Sequence, residues 1–125
     1  MRAVVVDDSK AMRSTIRDML RAVRFQVFEA GDGREGLESL EDFGPMDLAL
    51  VDWNLPRHSG LELVREVRSR REYDGMRIIM VTTEVDAQTI LEGLRLGVDE
   101  RLVKPFTRET LLEKLTRLRL YRGDL

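Results

Sequence analysis

The feature that most constrains the fold of this chain is a regular alternation of short apolar runs with longer segments of helical spacing. Five apolar runs rich in β-branched residues recur along the sequence: Ala3–Val6, Phe25–Phe28, Leu48–Val51, Ile78–Val81 and Leu102–Val103. Strands that alternate with helices require crossover connections, and crossovers produce a parallel sheet that is covered on both faces. We therefore expect an α/β fold with five parallel strands and five helices.

The helical segments are marked by apolar residues that recur at every third or fourth position. The clearest stripe lies in the first segment: Met12, Ile16, Met19, Leu20 and Val23. Signals for helix ends agree with this division. Asp32, Ser59 and Thr107 are suited to N-cap positions, and Gly44 and Gly97 follow the second and fourth helical segments.

The composition of the apolar runs indicates the order of the strands. The first, third and fourth runs are almost purely apolar, as expected for buried central strands, whereas Gln26 interrupts the second run and marks it as edge-like. The order 2-1-3-4-5 satisfies these observations and places a topological switch point between strands 1 and 3. The predicted fold class is therefore flavodoxin-like.

Length and composition exclude several classes of protein. The 125 residues have the size of one domain, so we expect a single domain over residues 1–125. The chain has no cysteine, which excludes disulfides and thiolate metal sites, and its net charge of −2 lacks the basic excess of a nucleic-acid binder. No segment has the length of a membrane span or the pattern of a secretory signal, so we expect a soluble cytoplasmic protein.

Polar residues follow four of the predicted strands. Strand 1 ends in Asp7 and Asp8, strand 3 in Asp52, strand 4 in Thr82 and strand 5 in Lys104. In open α/β sheets, ligands bind outside the carboxyl ends of the strands near the switch point, so these side chains are expected to converge.

The chemistry of this set favours a metal ion and a phosphoryl group. Three carboxylates in one crevice need a cation, and oxygen ligands without His or Cys favour a hard ion such as Mg2+. The hydroxyl of Thr82 and the ammonium of Lys104 are groups that a bound phosphoryl group requires. Asp52 then becomes a plausible nucleophile that forms an aspartyl phosphate.

The sequence around these residues resembles the receiver domains of two-component response regulators, and most closely the chemotaxis-type (CheY-like) regulators. The matching stretches span nearly the whole chain in family order and spacing: Val6-Asp7-Asp8-Ser9, Val51-Asp52-Trp53-Asn54-Leu55-Pro56 with Gly60, Met80-Val81-Thr82, and Val103-Lys104-Pro105-Phe106. Such regulators are themselves a standard example of the 2-1-3-4-5 order, so the strand order and the resemblance are not independent predictions.

The resemblance implies a role for each matching residue at the metal. Asp52 resembles the phosphoacceptor. Asp8, Asp52 and the backbone carbonyl of Asn54 resemble the direct Mg2+ ligands, and Asp7 resembles the acid that helps through water.

The resemblance also implies which residues bind the phosphoryl group and set its lifetime. Thr82 resembles the switch hydroxyl, and Lys104 resembles the lysine that pairs with the phosphoryl group, with a bond to Pro105 that is typically cis. Asn54 and Glu84 occupy the two variable positions thought to tune the phosphoryl lifetime.

Two residues depart from the family pattern. Arg101 stands where an aromatic residue usually turns inward on activation, and a guanidinium is costly to bury without a partner. We therefore expect Arg101 to stay at the surface in both states. Thr83 stands where Ala or Gly is preferred, and its bulk is expected to restrict the access of water to the phosphoryl site.

The resemblance further implies the partners and the output. The phosphodonor would be a sensor histidine kinase, and a target protein would bind the face formed by helix 4, strand 5 and helix 5, within Val85–Tyr121. Such a protein catalyses its own modification and is not an enzyme with turnover. We expect a monomer that acts in chemotaxis or flagellar motor control. The alternative is a phosphorelay intermediate or a receiver that regulates a kinase by contact.

Other patterns in the sequence permit different interpretations. Gly31-x-Gly33-x-x-Gly36 is a literal dinucleotide-binding fingerprint, but it follows the edge-like strand, so glycines in a tight turn are the favoured explanation. A phosphatase of the aspartyl-phosphate type would carry an acid two residues after the nucleophile, where this chain has Asn54, so this alternative is not favoured. Basic residues form two clusters that are predicted to be solvated helix faces: Arg68, Arg70 and Arg71, and then Arg117, Arg119 and Arg122.

Overall fold

A computed structural model describes residues 1–83 and 86–123 of the chain. The five strands are β1 Arg2–Val6, β2 Gln26–Ala30, β3 Leu48–Asp52, β4 Arg77–Thr82 and β5 Glu100–Val103. The five helices are α1 Lys10–Arg21, α2 Gly33–Phe43, α3 Ser59–Arg68, α4 Ala87–Leu96 and α5 Arg108–Arg117. Short 3-10 turns precede α3 and β4, at Pro56–His58 and Arg71–Tyr73.

The strands form one parallel sheet in the order β2-β1-β3-β4-β5, which confirms the predicted fold class. The second strand differs from its apolar run, because it begins at Gln26 and extends to Ala30. Glu29 and Ala30 pair with Val5 and Val6, so this strand continues alongside β1 beyond the apolar run. None of the helices in the described part of the chain is long and apolar enough to cross a membrane.

Two layers of apolar side chains cover the two faces of the sheet. Successive residues of a strand point to opposite faces, so Val4 and Val6 lie in one layer while Ala3 and Val5 lie in the other. The first layer contains buried residues of α2 and α3, and the second contains those of α1 and α5. Each fully buried leucine or isoleucine contributes about 1.5–3 kcal/mol, so both layers are needed to hold the sheet in place.

Helix ends follow the predicted signals at most positions. Asp32 Oδ1 accepts a hydrogen bond from the Glu35 amide at 2.9 Å, and Thr107 Oγ1 accepts one from the Thr110 amide at 3.1 Å. Gly97 ends α4 with φ of 102°, a conformation that favours glycine.

Ser59 does not occupy the predicted N-cap position. It is the first residue of α3, and its hydroxyl accepts a hydrogen bond at 3.3 Å from the amide of Gly33 in α2. A Cβ atom at Gly33 would overlap the carbonyl oxygen of Ser59, so the glycine permits the close approach of the two helices. A Cβ atom at Gly36 would lie only 3.0 Å from both Leu63 and Val6.

The same contacts argue against dinucleotide binding by the glycine motif. The Gly31 amide donates to Glu35 Oε1 at 2.9 Å, and the Gly33 amide donates to Ser59. A pyrophosphate site at this turn would need such amides to be available. Gly33 and Gly36 therefore serve the packing of α2 against α3, a reason that the predicted tight turn did not include.

Arg68 contradicts the prediction of a solvated basic helix face. Its side chain is only 19% exposed, and its guanidinium donates to the carbonyl oxygens of Gly97 at 3.0 Å, Tyr73 at 3.2 Å and Met76 at 2.8 Å. It also forms a 3.0 Å ion pair with Asp99. Because these partners lie in two separate segments, Arg68 joins α3 to the loop before β4 and to the loop before β5.

Candidate functional site

The predicted acidic residues converge at the carboxyl ends of β1 and β3. These strands are neighbours, and Val6 is paired with Val51, so Asp7 and Asp52 follow in adjacent positions at one edge of the sheet. Carboxylate oxygens of Asp7, Asp8 and Asp52 all lie within 4.8 Å of one another. The structure thus brings together the three acids from distant parts of the sequence.

The three carboxylates differ in exposure and in their hydrogen bonds. Asp7 and Asp52 are 1% and 4% exposed, whereas Asp8 is exposed. Asp7 Oδ1 accepts from the Ser9 amide at 2.8 Å, and Asp52 Oδ1 accepts from the Asn54 amide at 2.8 Å. Each buried carboxylate is therefore oriented by a backbone amide two residues further along the chain, in the loop that follows its strand.

Lys104 provides the positive charge of the site. Its Nζ lies 2.8 Å from Asp7 Oδ2 and 3.4 Å from Asp52 Oδ2, and its side chain is 16% exposed. The Lys104 amide donates to the Thr82 carbonyl at 2.9 Å, which extends the pairing of β4 with β5 by one step. The peptide bond between Lys104 and Pro105 is cis.

Burial and the neighbouring charges shift the protonation equilibria of this cluster. Burial raises the pKa of Asp52, and the charge of Asp7 adds to this effect. The Asn54 amide and the Lys104 ammonium lower the pKa of Asp52, but the pKa is raised overall. Burial lowers the pKa of Lys104. Asp7 and Asp52 outweigh this effect through their hydrogen bonds with the ammonium and their negative charges, so the pKa of Lys104 is raised overall. The ammonium is therefore charged at neutral pH, while the Asp52 carboxylate lacks full charge compensation.

Thr82 is the last residue of β4, the strand next to β3. It is completely buried, and the register pairs Asp52 with Val81 on the adjacent strand. The Trp53 amide donates to the Val81 carbonyl at 2.7 Å, which holds the start of the β3–α3 loop against β4. The hydroxyl predicted to bind a phosphoryl oxygen therefore lies at the same edge of the sheet as the acids.

Asn54 and Thr83 connect two loops at the mouth of the site. The Thr83 amide donates to Asn54 Oδ1 at 2.9 Å, and Thr83 Oγ1 lies 3.3 Å from the same atom in hydrogen-bonding geometry. Thr83 is exposed. Glu84, the other predicted tuning residue, lies outside the described residues.

The structure explains why glycine occupies position 60, which the sequence alone did not reveal. A Cβ atom there would overlap the Asp52 carbonyl oxygen and would lie 3.1 Å from Val51 Cγ1. Any other residue would displace α3 from the end of β3. Gly60 is therefore needed for the position of Asp52.

Arg13 is a polar residue of this region that the sequence predictions did not include. Its Nη1 donates to the carbonyl oxygen of Asp7 at 2.7 Å. A signal was present, since a cation near the N-terminal end of a helix is electrostatically unfavourable and indicates a specific partner.

Arg101 lies at the surface of β5, and its amide donates to Glu100 Oε1 at 3.2 Å. It lines a cavity of about 170 Å³ together with Met80, Ile90, Leu94 and Val98. Two large apolar side chains of α4 are exposed beside this cavity, Leu91 at 45% and Leu94 at 56%.

The donor set of the cluster fits a hard divalent cation. All of its candidate ligand atoms are oxygens, one carboxylate is exposed, and the acids outnumber the lysine that partly neutralises them. A cation would supply the missing positive charge next to Asp52.

Comparison with known proteins gives consistent matches over most of the chain. Residues 3–116 match the family model described as the response regulator receiver domain. The chain is 42% identical over 116 residues to a chemotaxis protein CheY homolog of Campylobacter jejuni, covering 92% of this chain and 89% of the relative. It is 40% identical over 116 residues to chemotaxis protein CheY1 of Helicobacter pylori, covering 92% of this chain and 94% of the relative.

Solved structures give the same result. Chemotaxis response regulator CheY4 of Vibrio cholerae superimposes with a TM-score of 0.86 at 36% identity, covering 94% of this chain and 97% of that chain. A CheY-like receiver domain protein of Methanospirillum hungatei superimposes with a TM-score of 0.84 at 32% identity, covering 94% and 91%.

Proposed function

The chain belongs to the family of response regulator receiver domains, and on that premise we propose that it is a switch controlled by phosphorylation of Asp52. The observation that carries the proposal is the convergence of Asp7, Asp8 and Asp52 on one crevice, with Lys104 Nζ 2.8 Å from Asp7 and 3.4 Å from Asp52. Response regulators are signalling proteins, and the events at this site are single-turnover modifications.

In this proposal, Mg2+ is held by the carboxylates of Asp8 and Asp52 and by the backbone carbonyl of Asn54. Asp7 acts through a water molecule, as the family resemblance implies, and Lys104 is closer to it, at 2.8 Å, than to Asp52, at 3.4 Å. When bound, the ion supplies positive charge that favours ionised Asp52 and offsets the charge of the incoming phosphoryl group.

The phosphoryl transfer uses Asp52 as the nucleophile. A carboxylate oxygen attacks the phosphorus of a phosphohistidine, an oxygen–phosphorus bond forms, and the phosphorus–nitrogen bond breaks as the imidazole leaves with its electron pair. Lys104 then moves its charge from Asp52 towards the phosphoryl oxygens, and the Thr82 hydroxyl donates to one of them. The 3.4 Å distance between Lys104 Nζ and Asp52 Oδ2 supports this role of the lysine.

Loss of the phosphoryl group by hydrolysis is self-catalysed in the same site. The attacking water must pass the mouth formed by Asn54 and Thr83, which are joined by the 2.9 Å hydrogen bond from the Thr83 amide. Asn54, Thr83 and Glu84 therefore set the lifetime of the aspartyl phosphate.

The output of the switch is a change in protein binding. Phosphorylation shifts a pre-existing equilibrium towards the state that binds a target through the α4–β5–α5 face, where Leu91 and Leu94 expose apolar surface. Arg101 lies on this face in place of the usual aromatic residue, so activation proceeds without an inward aromatic rotation. A monomer is sufficient for this mechanism.

The relatives named as chemotaxis proteins favour a role in chemotaxis, with a sensor histidine kinase as phosphodonor and the flagellar motor as target. The alternative is transfer of the phosphoryl group along a relay or regulation of a kinase by contact. A cytoplasmic location goes with either role, since phosphohistidine is formed from ATP. Capture of partners with and without beryllofluoride, which imitates the phosphoryl group, separates the two roles.

Trp53 allows a direct test because it is partly buried, adjoins Asp52 and packs against the apolar layer next to α3. Addition of Mg2+ and then acetyl phosphate should change its fluorescence reversibly, and chelation of Mg2+ should prevent the second change. Asp52→Asn should abolish the response to acetyl phosphate, while Asp42→Asn, an exposed and distant control, should retain it. A full response of Asp52→Asn would contradict the proposed phosphoacceptor.

A further inference from the structure

Arg13 is the residue of the acidic crevice for which the phosphoryl chemistry has no use. We propose that Arg13 is a positioning residue that holds the Asp7–Asp8 turn in the geometry required for Mg2+ binding. This inference rests on the proposed function of the site. It adds a residue of α1 whose own side chain contacts neither the metal nor the phosphoryl group.

Asp7 is held at four points, and Arg13 supplies one of them. The Asp7 amide donates to the Ala30 carbonyl at 3.0 Å, its Oδ1 accepts from the Ser9 amide at 2.8 Å, and its Oδ2 accepts from Lys104 at 2.8 Å. The fourth point is its carbonyl oxygen, which accepts from Arg13 Nη1 at 2.7 Å. This bond is short and charge-assisted, a class that is about twice as strong as a neutral hydrogen bond.

The carbonyl of Asp7 belongs to the peptide unit that joins Asp7 to Asp8. Fixing this oxygen fixes the peptide plane, and with it the position of the Asp8 Cα from which the side chain leaves the backbone. Asp8 is exposed, and its carboxylate makes no hydrogen bond within residues 1–83 and 86–123. Its placement as a metal ligand therefore depends on the backbone, which Arg13 holds.

The guanidinium of Arg13 makes one hydrogen bond, to the Asp7 carbonyl, and one ion pair. Its side chain is 19% exposed, and its Nε lies 3.4 Å from Glu29 Oε1 in β2. This Nε is buried and has no hydrogen-bond partner within residues 1–83 and 86–123. Arg17 binds the other oxygen of Glu29 at 3.2 Å. Arg13 lies near the N-terminal end of α1, where the helix dipole disfavours a cation, and the Asp7 carbonyl and Glu29 offset this cost.

A matched pair of substitutions on α1 tests this role. Arg13→Met removes the bond to the Asp7 carbonyl, whereas Arg17→Met removes a cation from the same Glu29 network without touching Asp7. Loss of an outer residue that orients a metal ligand typically weakens metal affinity about 10- to 100-fold. We expect Arg13→Met to raise the Kd for Mg2+ about tenfold, and Arg17→Met to change it by less than about twofold.

The Kd is measured by titrating Mg2+ against the fluorescence of Trp53. Arg13→Lys, which keeps the charge and one donor, should fall between the wild type and Arg13→Met, and it serves as the variant of choice if Arg13→Met fails to fold. In metal-free protein, the Ser9 amide should exchange its hydrogen faster in Arg13→Met than in Arg17→Met, because the Asp7 carboxylate that it binds is less well held.

Several outcomes would overturn the inference. If both Arg13 variants bind Mg2+ with wild-type affinity while the wild type binds it normally, Arg13 has only a structural role and the proposed function is unaffected. Equal weakening by Arg17→Met would assign the effect to the Glu29 network. A wild-type protein that binds no Mg2+ would remove the proposed function and this inference together.

Discussion

Arg68 provides a quantitative test of how distant segments are held together. Arg68→Met keeps an aliphatic side chain of similar length and removes the guanidinium. The three carbonyl oxygens of Gly97, Tyr73 and Met76 and the carboxylate of Asp99 then lose a charged donor. Asp99 keeps the 2.8 Å hydrogen bond from the Ile78 amide, so the loop before β5 loses only part of its attachment.

The magnitude follows from the number of bonds and their exposure. A hydrogen bond to a charged group contributes about 1.5–3 kcal/mol, but losses at one side chain are not additive. Because the Arg68 side chain is 19% exposed, water reaches part of the vacated space. We expect the free energy of unfolding to fall by about 3 kcal/mol, in the range for breaking a buried ion pair. At this chain length, that corresponds to a decrease in Tm of roughly 12 °C.

The assay is urea and thermal unfolding followed by circular dichroism. Arg65→Met is the matched control, because Arg65 is exposed on the same helix, and its free energy of unfolding should stay within about 0.5 kcal/mol of the wild type. A loss for Arg68→Met no larger than that of Arg65→Met would refute the assignment of Arg68 as a structural link.

Three further predictions concern the site and the helix contacts. Asp52→Asn should raise the free energy of unfolding of metal-free protein at pH 7, because burial raises the pKa of Asp52 and makes its charged form costly. In urea unfolding with chelator, this gain should vanish as the pH falls below the ordinary pKa of aspartate, where the carboxyl is neutral in both states. A gain that is independent of pH would contradict the prediction. Thr83→Ala should speed loss of the phosphoryl group about threefold, which corresponds to a barrier lower by roughly 0.7 kcal/mol, and Thr83→Ser should be intermediate. The rate is followed by Trp53 fluorescence after removal of the phosphodonor, and equal rates would contradict the idea that Thr83 limits the access of water to the phosphoryl group. Gly33→Ala should lower the free energy of unfolding in urea by about 1–3 kcal/mol, because the new Cβ atom would overlap Ser59. Gly75→Ala should be neutral or stabilising, because no atom lies within 4 Å of the new Cβ position. Equal stability of the two variants would show that α2 and α3 have room to separate.

The placement of the acidic cluster could be predicted from the sequence because it depends on few assumptions. Apolar runs identify β1, β3 and β4, and in a parallel sheet the residues after the strands share one edge. Asp7, Asp52 and Thr82 are therefore placed together once the strand order is known. The caps at Asp32 and Thr107 were predictable for a similar reason, since a capping side chain binds an amide three residues ahead.

Contacts between distant segments left weaker signals in the sequence. Arg68 shares helical spacing with exposed arginines, and only the packing of α3 against the loops before β4 and β5 reveals that it is largely buried. Arg13 likewise has a partner on another element, Glu29 of β2, in addition to the Asp7 carbonyl in the loop before its own helix. Ser59 has the expected residue type for a cap, but the close approach of α2 at Gly33 gives its hydroxyl another donor. These partners depend on tertiary packing, which local patterns do not encode.

The most direct test of the account is chemical identification of the phosphorylated residue. The protein is incubated with Mg2+ and acetyl phosphate and then treated with borohydride, which reduces an aspartyl phosphate to homoserine, and the modified peptide is sequenced by mass spectrometry. We predict homoserine at position 52 only, and none when Mg2+ is chelated. Homoserine at another aspartate, or none in folded protein that binds Mg2+, would contradict the assignment of Asp52 as the phosphoacceptor.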